Sequence, residues 1–158
     1  MDYRSHYGSR PRVPGSDAHV RDPSLSDRRI LIVEDDPATL HALSELVPAW
    51  GYVVDGAAEG QRALKLIEEF RPDIMLLDLN LPGGDGFSLL EALRHRGIEL
   101  LTIVISARNT AADIARCKVL GANHHLRKPV DPRHLRLLIA ELYARLEIER
   151  HRDLDTRH

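Results

Sequence analysis

Short apolar runs, many rich in β-branched residues, alternate along the chain with segments whose apolar residues recur at helical spacing. The runs predict five strands, at residues 30–33, 52–55, 74–77, 101–105 and 124–126, the last being the weakest. The runs at 30–33 and 74–77 are apolar at every position, which is typical of strands that are covered on both faces.

The helical spacing predicts one helix after each strand. The first helix carries Pro37 in its first turn, and we expect Pro48 to end it early. The other four are expected around residues 63–67, at 87–96, at 109–120, and from 131 to 146 or beyond. Repeated strand–helix units predict an α/β fold with a parallel sheet and helices on both faces. Ligands of such sheets bind outside the carboxyl ends of the strands, so the chemistry is expected there.

Composition changes along the chain in a way that indicates a single domain. Residues 1–27 mix Ser, Gly, Pro, Arg and Asp without apolar periodicity, and we expect them to form a disordered tail. Residues 28–148 are expected to form the domain, and 149–158 a charged C-terminal tail or the start of a linker. With 158 residues and 43% apolar content, the chain can build one core.

Charge and cysteine content narrow the class of protein. A formal net charge of −2 provides no basic footprint for nucleic acid, so we expect no direct nucleic-acid binding. The single cysteine, Cys117, excludes an intramolecular disulfide and suits a reducing compartment. No apolar stretch approaches the roughly 20 residues of a membrane span, and the N-terminus lacks the apolar core of a signal peptide. We therefore expect a cytoplasmic protein without membrane contact.

Polar residues follow four of the apolar runs directly. Glu34 and Asp35 come after the first run, Asp78 after the third, Ser106 after the fourth, and Lys128 near the end of the fifth. Carboxylates that converge on one crevice repel each other unless a cation lies among them. A small number of hard oxygen ligands suits Mg²⁺, which often bridges to phosphate. A carboxylate nucleophile, a lysine and a hydroxyl together indicate phosphoryl transfer.

Four segments carry a family resemblance: ILIVEDDP at 30–37, PDIMLLDLNLPGGDGF at 72–87, IVISAR at 103–108 and GANHHLRKPV at 121–130. In order and spacing they resemble the response-regulator receiver family of two-component signalling. The resemblance covers about residues 28–146 and implies a flavodoxin-like (βα)5 fold, a doubly wound sheet with strand order 2-1-3-4-5.

The resemblance implies a role for each strand-end residue. Asp78 would be the phosphoacceptor, Lys128 would bind a phosphoryl oxygen, and the hydroxyl of Ser106 would move toward the phosphoryl group. A cis peptide is expected between Lys128 and Pro129. The function implied is acceptance of a phosphoryl group from a histidine kinase or phosphotransfer protein. Phosphorylation would then switch contacts with a downstream protein partner or within a homodimer, without enzymatic turnover of another substrate.

The resemblance also implies the metal ligands, with Mg²⁺ as the cofactor. Asp35 and Asp78 would bind the ion directly, Asn80 through its backbone carbonyl, and Glu34 through water. Asp36 lies one residue too late for this set, and we expect it to face the turn.

Two positions depart from the family pattern. His125 stands where the family usually has a switch Tyr or Phe, and we expect it to act with Ser106 as a muted or pH-sensitive switch. A rival interpretation makes His125 a surface residue. Arg108, two positions after Ser106, places a long cation at the mouth of the site, where it would affect the phosphoryl lifetime and the choice of partner.

Other functions fit the residues less well. A haloacid-dehalogenase-type phosphatase needs a second Asp where Asn80 stands, and a flavodoxin-type FMN site needs a phosphate loop where the acidic segment 34–37 lies. A metal site on His124 and His125 is disfavoured because adjacent strand residues point to opposite faces. A docking module that works without phosphorylation is typically expected to lack the aspartate or the lysine, and this chain has both.

The output of the domain stays open at this stage. About a dozen residues follow the last predicted helix, from Glu147 on, too few for a DNA-binding domain. The alternatives are a stand-alone receiver or a fragment of a longer regulator. The leucines at 135, 138, 142 and 146 are expected to cover the sheet, with the seating of a partner helix as an alternative.

Overall fold

The computed structural model describes residues 27–82 and 86–157. The segment for which we expect a disordered tail therefore lies, apart from Asp27, outside the described residues. Within the described residues, five strands and five helices alternate. The strands are β1 (Arg29–Val33), β2 (Val53–Ala57), β3 (Ile74–Leu77), β4 (Leu101–Ser106) and β5 (His124–Arg127). The helices are α1 (Pro37–Ala49), α2 (Gly60–Phe70), α3 (Gly86–His95), α4 (Ala111–Val119) and α5 (Pro132–Asp155).

All four strand pairings are parallel, and the sheet has the order β2-β1-β3-β4-β5. This confirms the fold class and the strand order. The chain reverses its direction of travel across the sheet between β1 and β3, where Val33 and Leu77 are register partners. The carboxyl ends of these two strands therefore lie side by side, which places the residues that follow them next to each other.

The core has two layers, one on each face of the sheet. Alternate residues of β1 face opposite ways: Ile30 and Ile32 pack with α1 and α5, whereas Leu31 and Val33 pack with α2 and α3. A smaller cluster of Leu79, Phe87, Val104 and Cys117 joins α3, α4 and the sheet. Both faces of the central strands are covered, which explains their uninterrupted apolar runs.

The end of α1 differs from expectation. Pro48 does not end α1 early but lies within it, one residue before its end at Ala49. A proline this late removes a single helical hydrogen bond. The helix ends with hydrogen bonds from Trp50 N–H to Val47 O and from Gly51 N–H to Pro48 O. Gly51 then takes a φ of +100°, a left-handed conformation that favours glycine.

The last helix is longer than its apolar pattern requires. Leu135, Leu138 and Leu142 are buried against the sheet, and Leu146 packs at the edge of the same core cluster. The helix then continues to Asp155 through the charged segment. The middle of the helix is fastened to residues that directly precede β1 and β3, by an ion pair between Arg28 and Glu147 and by the hydroxyl of Tyr143, which lies 3.1 Å from Asp73 Oδ2.

Candidate functional site

Three acidic side chains and one lysine lie at the carboxyl ends of β1, β3 and β5. Glu34 and Asp35 follow β1, Asp78 follows β3, and Lys128 follows β5. Each stands one or two residues beyond the last apolar position of its strand, where the chain leaves the core. The sheet order places β1 next to β3, so Glu34 and Asp78 lie side by side. Lys128 reaches them from the other side of β4.

Lys128 makes the central contacts of this site. Its Nζ lies 2.8 Å from Asp78 Oδ2, 2.9 Å from Glu34 Oε2 and 3.1 Å from Glu34 Oε1. Both carboxylates are nearly inaccessible, with 2% exposure for Glu34 and 4% for Asp78. Charge-assisted hydrogen bonds of this kind offset the cost of burying a carboxylate.

The acidic side chains form the only group of three metal-ligating residues within the described part of the chain. Oxygen atoms of Glu34, Asp35 and Asp78 lie within 4.8 Å of one another. Asp35 is exposed, so the cluster is open to solvent on its side. Three carboxylates facing one ammonium leave an excess of negative charge, and hard oxygen ligands of this number suit Mg²⁺. The donor set therefore fits a magnesium ion.

The pKa values of two of these groups are displaced. Burial raises the pKa of Glu34, and the neighbouring Asp78 charge adds to this, although the hydrogen bond from Lys128 opposes it. Burial alone lowers the pKa of Lys128, but its hydrogen bonds to Asp78 and Glu34 outweigh this, so the net pKa is raised. Lys128 therefore stays charged near neutral pH and donates hydrogen bonds to both carboxylates.

The backbone around Asp78 fixes the position of its carboxylate. The amide N–H of Asn80 donates to Asp78 Oδ1 at 3.1 Å, so each carboxylate oxygen has its own donor. Gly86 packs directly under this turn, with its N–H 2.6 Å from Leu79 O. A Cβ on Gly86 would lie 2.6 Å from Asp78 O and 2.7 Å from Leu79 Cα, closer than real Cβ contacts. The position requires a glycine because backbone approaches it so closely.

Ser106 and His125 are joined through the backbone of Arg108. The buried Ser106 Oγ accepts a hydrogen bond from Arg108 N–H at 3.0 Å. The carbonyl of Arg108 lies 3.0 Å from His125 Nε2, which must therefore donate to it. His125 is half-buried, and its Nδ1 is covered without a hydrogen-bond partner among the described residues. A chain of two hydrogen bonds thus runs from the end of β4 to β5.

The other polar residues of the strand ends have local roles. Asp36 caps α1, accepting from Thr39 N–H at 3.0 Å, so it faces the turn as the sequence predicts. The guanidinium of Arg108 lies 3.2 Å from Asp113 Oδ1 and over the ring of Phe87. These contacts draw Arg108 toward α3 and α4. The peptide between Lys128 and Pro129 is cis, as expected.

Comparison with known proteins agrees with this geometry. The family model described as "Response regulator receiver domain" matches residues 30–140. The chain belongs to the response regulator receiver domain family. The match runs from β1 into α5 and so includes every strand-end residue of the site.

Curated relatives of this receiver domain include several bacterial regulators. The transcriptional regulatory protein PrrA of Mycobacterium leprae is 35% identical over 126 residues, which is 80% of this chain and 51% of that protein. The transcriptional regulatory protein AfsQ1 of Streptomyces coelicolor is 38% identical over 120 residues, 76% of this chain and 53% of that protein. The Regulator of RpoS of Escherichia coli is 40% identical over 106 residues, 67% of this chain and 32% of that protein. The chain thus spans about half the length of PrrA and AfsQ1 and about a third of the Regulator of RpoS.

Solved receiver domains share the fold over most of the chain. A CheY-like response regulator receiver domain protein from Methanospirillum hungatei superposes with a TM-score of 0.72 at 32% identity, covering 77% of this chain and 98% of that one. The non-phosphorylated receiver domain of HemR from Leptospira biflexa superposes with a TM-score of 0.68 at 30% identity, covering 73% of this chain and 93% of that one. Within residues 27–82 and 86–157, no helix of this receiver domain is long and apolar enough to cross a membrane.

Of the residues singled out in the sequence, the structure joins Glu34, Asp35, Asp78 and Lys128 in one cluster, and it links Ser106 to His125 through Arg108. Sequence reasoning missed the role of Gly86, the last glycine of the PGGDG segment. A glycine at the start of a helix is a weak signal of this role, because Gly60 also begins a helix and an added Cβ there meets nothing within 4 Å.

Proposed function

We propose that this receiver domain accepts a phosphoryl group on Asp78 from a histidine kinase or a phosphotransfer protein in a Mg²⁺-dependent reaction. Phosphorylation then switches its contacts with a protein partner or with a second copy of the chain. The proposal treats the chain as a switch whose own chemistry is limited to self-phosphorylation and autodephosphorylation. It places the chain in the cytoplasm, in keeping with its single cysteine.

The observation that carries the proposal is the position of the Lys128 ammonium, within hydrogen-bond distance of both Asp78 and Glu34. A lysine used only to neutralise a buried acid needs one partner. Here the ammonium lies between two acids that already repel each other, and a third acid, Asp35, remains exposed beside them. Such an arrangement is unfavourable for folding alone, which supports a role in binding a metal ion and a phosphoryl group.

In the proposed reaction, an oxygen of Asp78 attacks the phosphorus atom of the donor. A bond forms between that oxygen and phosphorus as the bond from phosphorus to the donor nitrogen breaks, and the electron pair of that bond stays on the donor imidazole. The N–H of Asn80 holds the carboxylate in orientation. Lys128 exchanges one carboxylate contact for a phosphoryl oxygen and balances its charge.

Asp35, Asp78 and the backbone carbonyl of Asn80 would hold Mg²⁺ directly, with Glu34 acting through water. When bound, the ion supplies positive charge that offsets the carboxylates and the phosphoryl oxygens. The residues of the chain contribute the position of the Asp78 carboxylate and of the Lys128 ammonium. Glu34 also holds the lysine in place, so removing it affects both the metal and Lys128.

The proposed switch uses the hydrogen bonds that join Ser106 to His125. Ser106 Oγ accepts from Arg108 N–H and still has its own proton to donate. When that hydroxyl turns to a phosphoryl oxygen, its bond to Arg108 is given up, and Arg108 O in turn holds His125 Nε2. Loss of the first bond therefore releases the segment that positions the second.

The proposed output is a protein contact rather than direct contact of this domain with nucleic acid. PrrA and AfsQ1 are described as transcriptional regulatory proteins, and this chain matches about half of each. Their names describe whole proteins. For the residues present here, the net charge of −2 supports protein partners.

The experiment is phosphoryl uptake from acetyl phosphate, followed by intact-mass analysis with Mg²⁺ and with excess chelator. We expect the mass of one phosphoryl group to appear only with Mg²⁺. Asp35→Asn should abolish the gain, because it removes a direct metal ligand. The matched control is Asp36→Asn, the neighbouring acid that caps α1, which should keep it. Equal uptake with and without Mg²⁺, or equal loss in both variants, contradicts the proposal.

A further inference from the structure

Helix α5 changes character after Leu146. The part up to that residue is anchored in the core by buried side chains, which are Leu135, Leu138, Ile139, Leu142 and Tyr143. From residue 147 to the end of the helix at Asp155, no side chain is buried, and the apolar Ile148 is 56% exposed. We call residues 147–155 the terminal segment of α5. Since it buries no apolar side chain, the core does not hold this segment in helical form.

The terminal segment is also a weak helix by its own sequence. Isolated helices shorter than about 12–15 residues are marginal in water, and this segment is shorter. Asp153 and Asp155 lie at its carboxyl end, where the helix dipole disfavours carboxylates, and Arg152 is the basic residue of the last turn. Its helical state therefore depends on contacts with the rest of the domain.

Two ion pairs provide such contacts. Glu147 and Arg150 are the half-buried residues of the terminal segment, and both pair with the domain. Glu147 accepts a hydrogen bond from Arg28, which directly precedes β1. Arg150 lies 3.8 Å from an oxygen of Asp73, which directly precedes β3. The terminal segment is thus held at the amino ends of two neighbouring strands.

Arg28 joins the terminal segment to the anchored part of the helix. Its guanidinium carbon lies 4.8 Å from the ring centroid of Tyr143, while one of its nitrogens donates to Glu147. The Arg28 side chain is 17% exposed, so this ion pair is less screened than a surface pair. However, its Nε is covered and has no hydrogen-bond partner among the described residues, which is unfavourable. The gain from the ion pair is therefore offset in part, and the docked state is favoured only slightly.

From these observations we infer that the terminal segment of α5 is a conditional helix. It is helical while Arg28 and Asp73 hold Glu147 and Arg150, and it unwinds when these ion pairs are broken. Arg28 and Asp73 lie at the amino ends of their strands, whereas Asp78 follows the carboxyl end of β3. The ion pairs therefore determine whether the chain leaves the domain as a helix, and they do so without phosphoryl transfer to Asp78.

The first test is amide hydrogen exchange of the full chain, followed by NMR at residues 151–155. We expect Glu147→Gln to accelerate this exchange about fivefold or more, because it removes a partly buried charge pair. The matched control is Glu149→Gln, which breaks the ion pair with Arg145 within the helix, where both side chains are more than half exposed. That control should change the exchange by about twofold or less.

The same spectra test whether the terminal segment opens by itself. The amides of Leu138, Ile139 and Leu142 should keep their wild-type protection in Glu147→Gln. Unchanged exchange of residues 151–155 in Glu147→Gln, or an equal acceleration in the Glu149→Gln control, overturns the inference. Loss of protection at Leu138, Ile139 and Leu142 also overturns it, because the helix would then open as a whole.

The second test exchanges the two charges and varies the salt concentration. Arg28→Glu and Glu147→Arg should each accelerate exchange of residues 151–155, and the double variant should return to within about threefold of wild type. About 1 M NaCl, where the screening length is about 3 Å, should accelerate the same amides in wild type relative to Leu138 and Ile139. Failure of the rescue, or no effect of salt, overturns the role of the ion pairs.

Phosphoryl uptake from acetyl phosphate separates this inference from the proposed function. Glu147→Gln should take up the phosphoryl group like wild type while its terminal segment exchanges faster. Loss of uptake in this variant would overturn the independence of the two ends of the sheet. Failure of uptake by wild type contradicts the proposed function and leaves the exchange measurements to decide the conditional helix.

Discussion

Replacing Gly86 by alanine tests how the backbone under Asp78 is held. The added Cβ would lie 2.6 Å from Asp78 O and 2.7 Å from Leu79 Cα, both of them main-chain atoms. An ordinary contact needs almost 1 Å more, so either the start of α3 or the Asp78 turn must move. Inserting a methyl group into a packed site costs about 1–3 kcal/mol. Alanine recovers at most about 0.5–1 kcal/mol through its helix preference. We therefore expect a net loss of stability, together with slower phosphoryl uptake because Asp78 is displaced.

The assay is urea unfolding together with the rate of uptake from acetyl phosphate. The matched control is Gly60→Ala, at the first residue of α2, where an added Cβ meets nothing within 4 Å. That change should leave stability equal or raise it by up to about 1 kcal/mol. If Gly86→Ala behaves like Gly60→Ala in both measurements, the close approach to Asp78 does not constrain the site.

Three further predictions follow from the described contacts. Mg²⁺ at about 100 times its dissociation constant should stabilise the fold by about 2.7 kcal/mol, seen as a melting shift that Asp35→Ala removes; an equal shift in the variant counts against the metal site. Tyr143→Phe should cost about 1–2 kcal/mol in urea unfolding, because Asp73 loses the hydroxyl 3.1 Å away, and an unchanged midpoint would exclude that contribution. His125→Tyr should strengthen phosphorylation-dependent partner binding or dimerisation, because a tyrosine ring that turns inward buries more apolar area than His125, whose covered Nδ1 has no hydrogen-bond partner among the described residues; an unchanged response would exclude His125 as the switch.

The fold was largely predictable because strand ends coincide with changes from apolar to polar residues. The third strand was predicted at residues 74–77 and lies at Ile74–Leu77, and its first polar residue is Asp78. The second strand was predicted at 52–55 but lies at Val53–Ala57, because its pairing with β1 extends to Ala57 through Gly56, a residue without a side chain to mark the pattern. The strand order came from the family resemblance, since periodicity alone does not specify which strands are neighbours.

Side-chain partners were less predictable than strand ends. The sequence placed Lys128 near Asp78. Its simultaneous contact with Glu34 was less predictable, because Lys128 follows β5 and Glu34 follows β1, with β3 and β4 between them. The contact from Ser106 to His125 by way of Arg108 uses backbone atoms, which leave no signal in residue types. The length of α5 was also left open, because its second half is held by Arg28, a residue distant in sequence.

The central claim is that Asp78 is the phosphoacceptor, and its most direct measurement is the intact mass after incubation with acetyl phosphate and Mg²⁺. The wild-type chain should gain one phosphoryl group, because Asp78 is the carboxylate held jointly by Lys128 and the Asn80 amide. Asp78→Asn should gain none while remaining folded, as checked by its melting curve. A variant that gains the same phosphoryl group as wild type would show that another residue accepts it and would contradict the assignment.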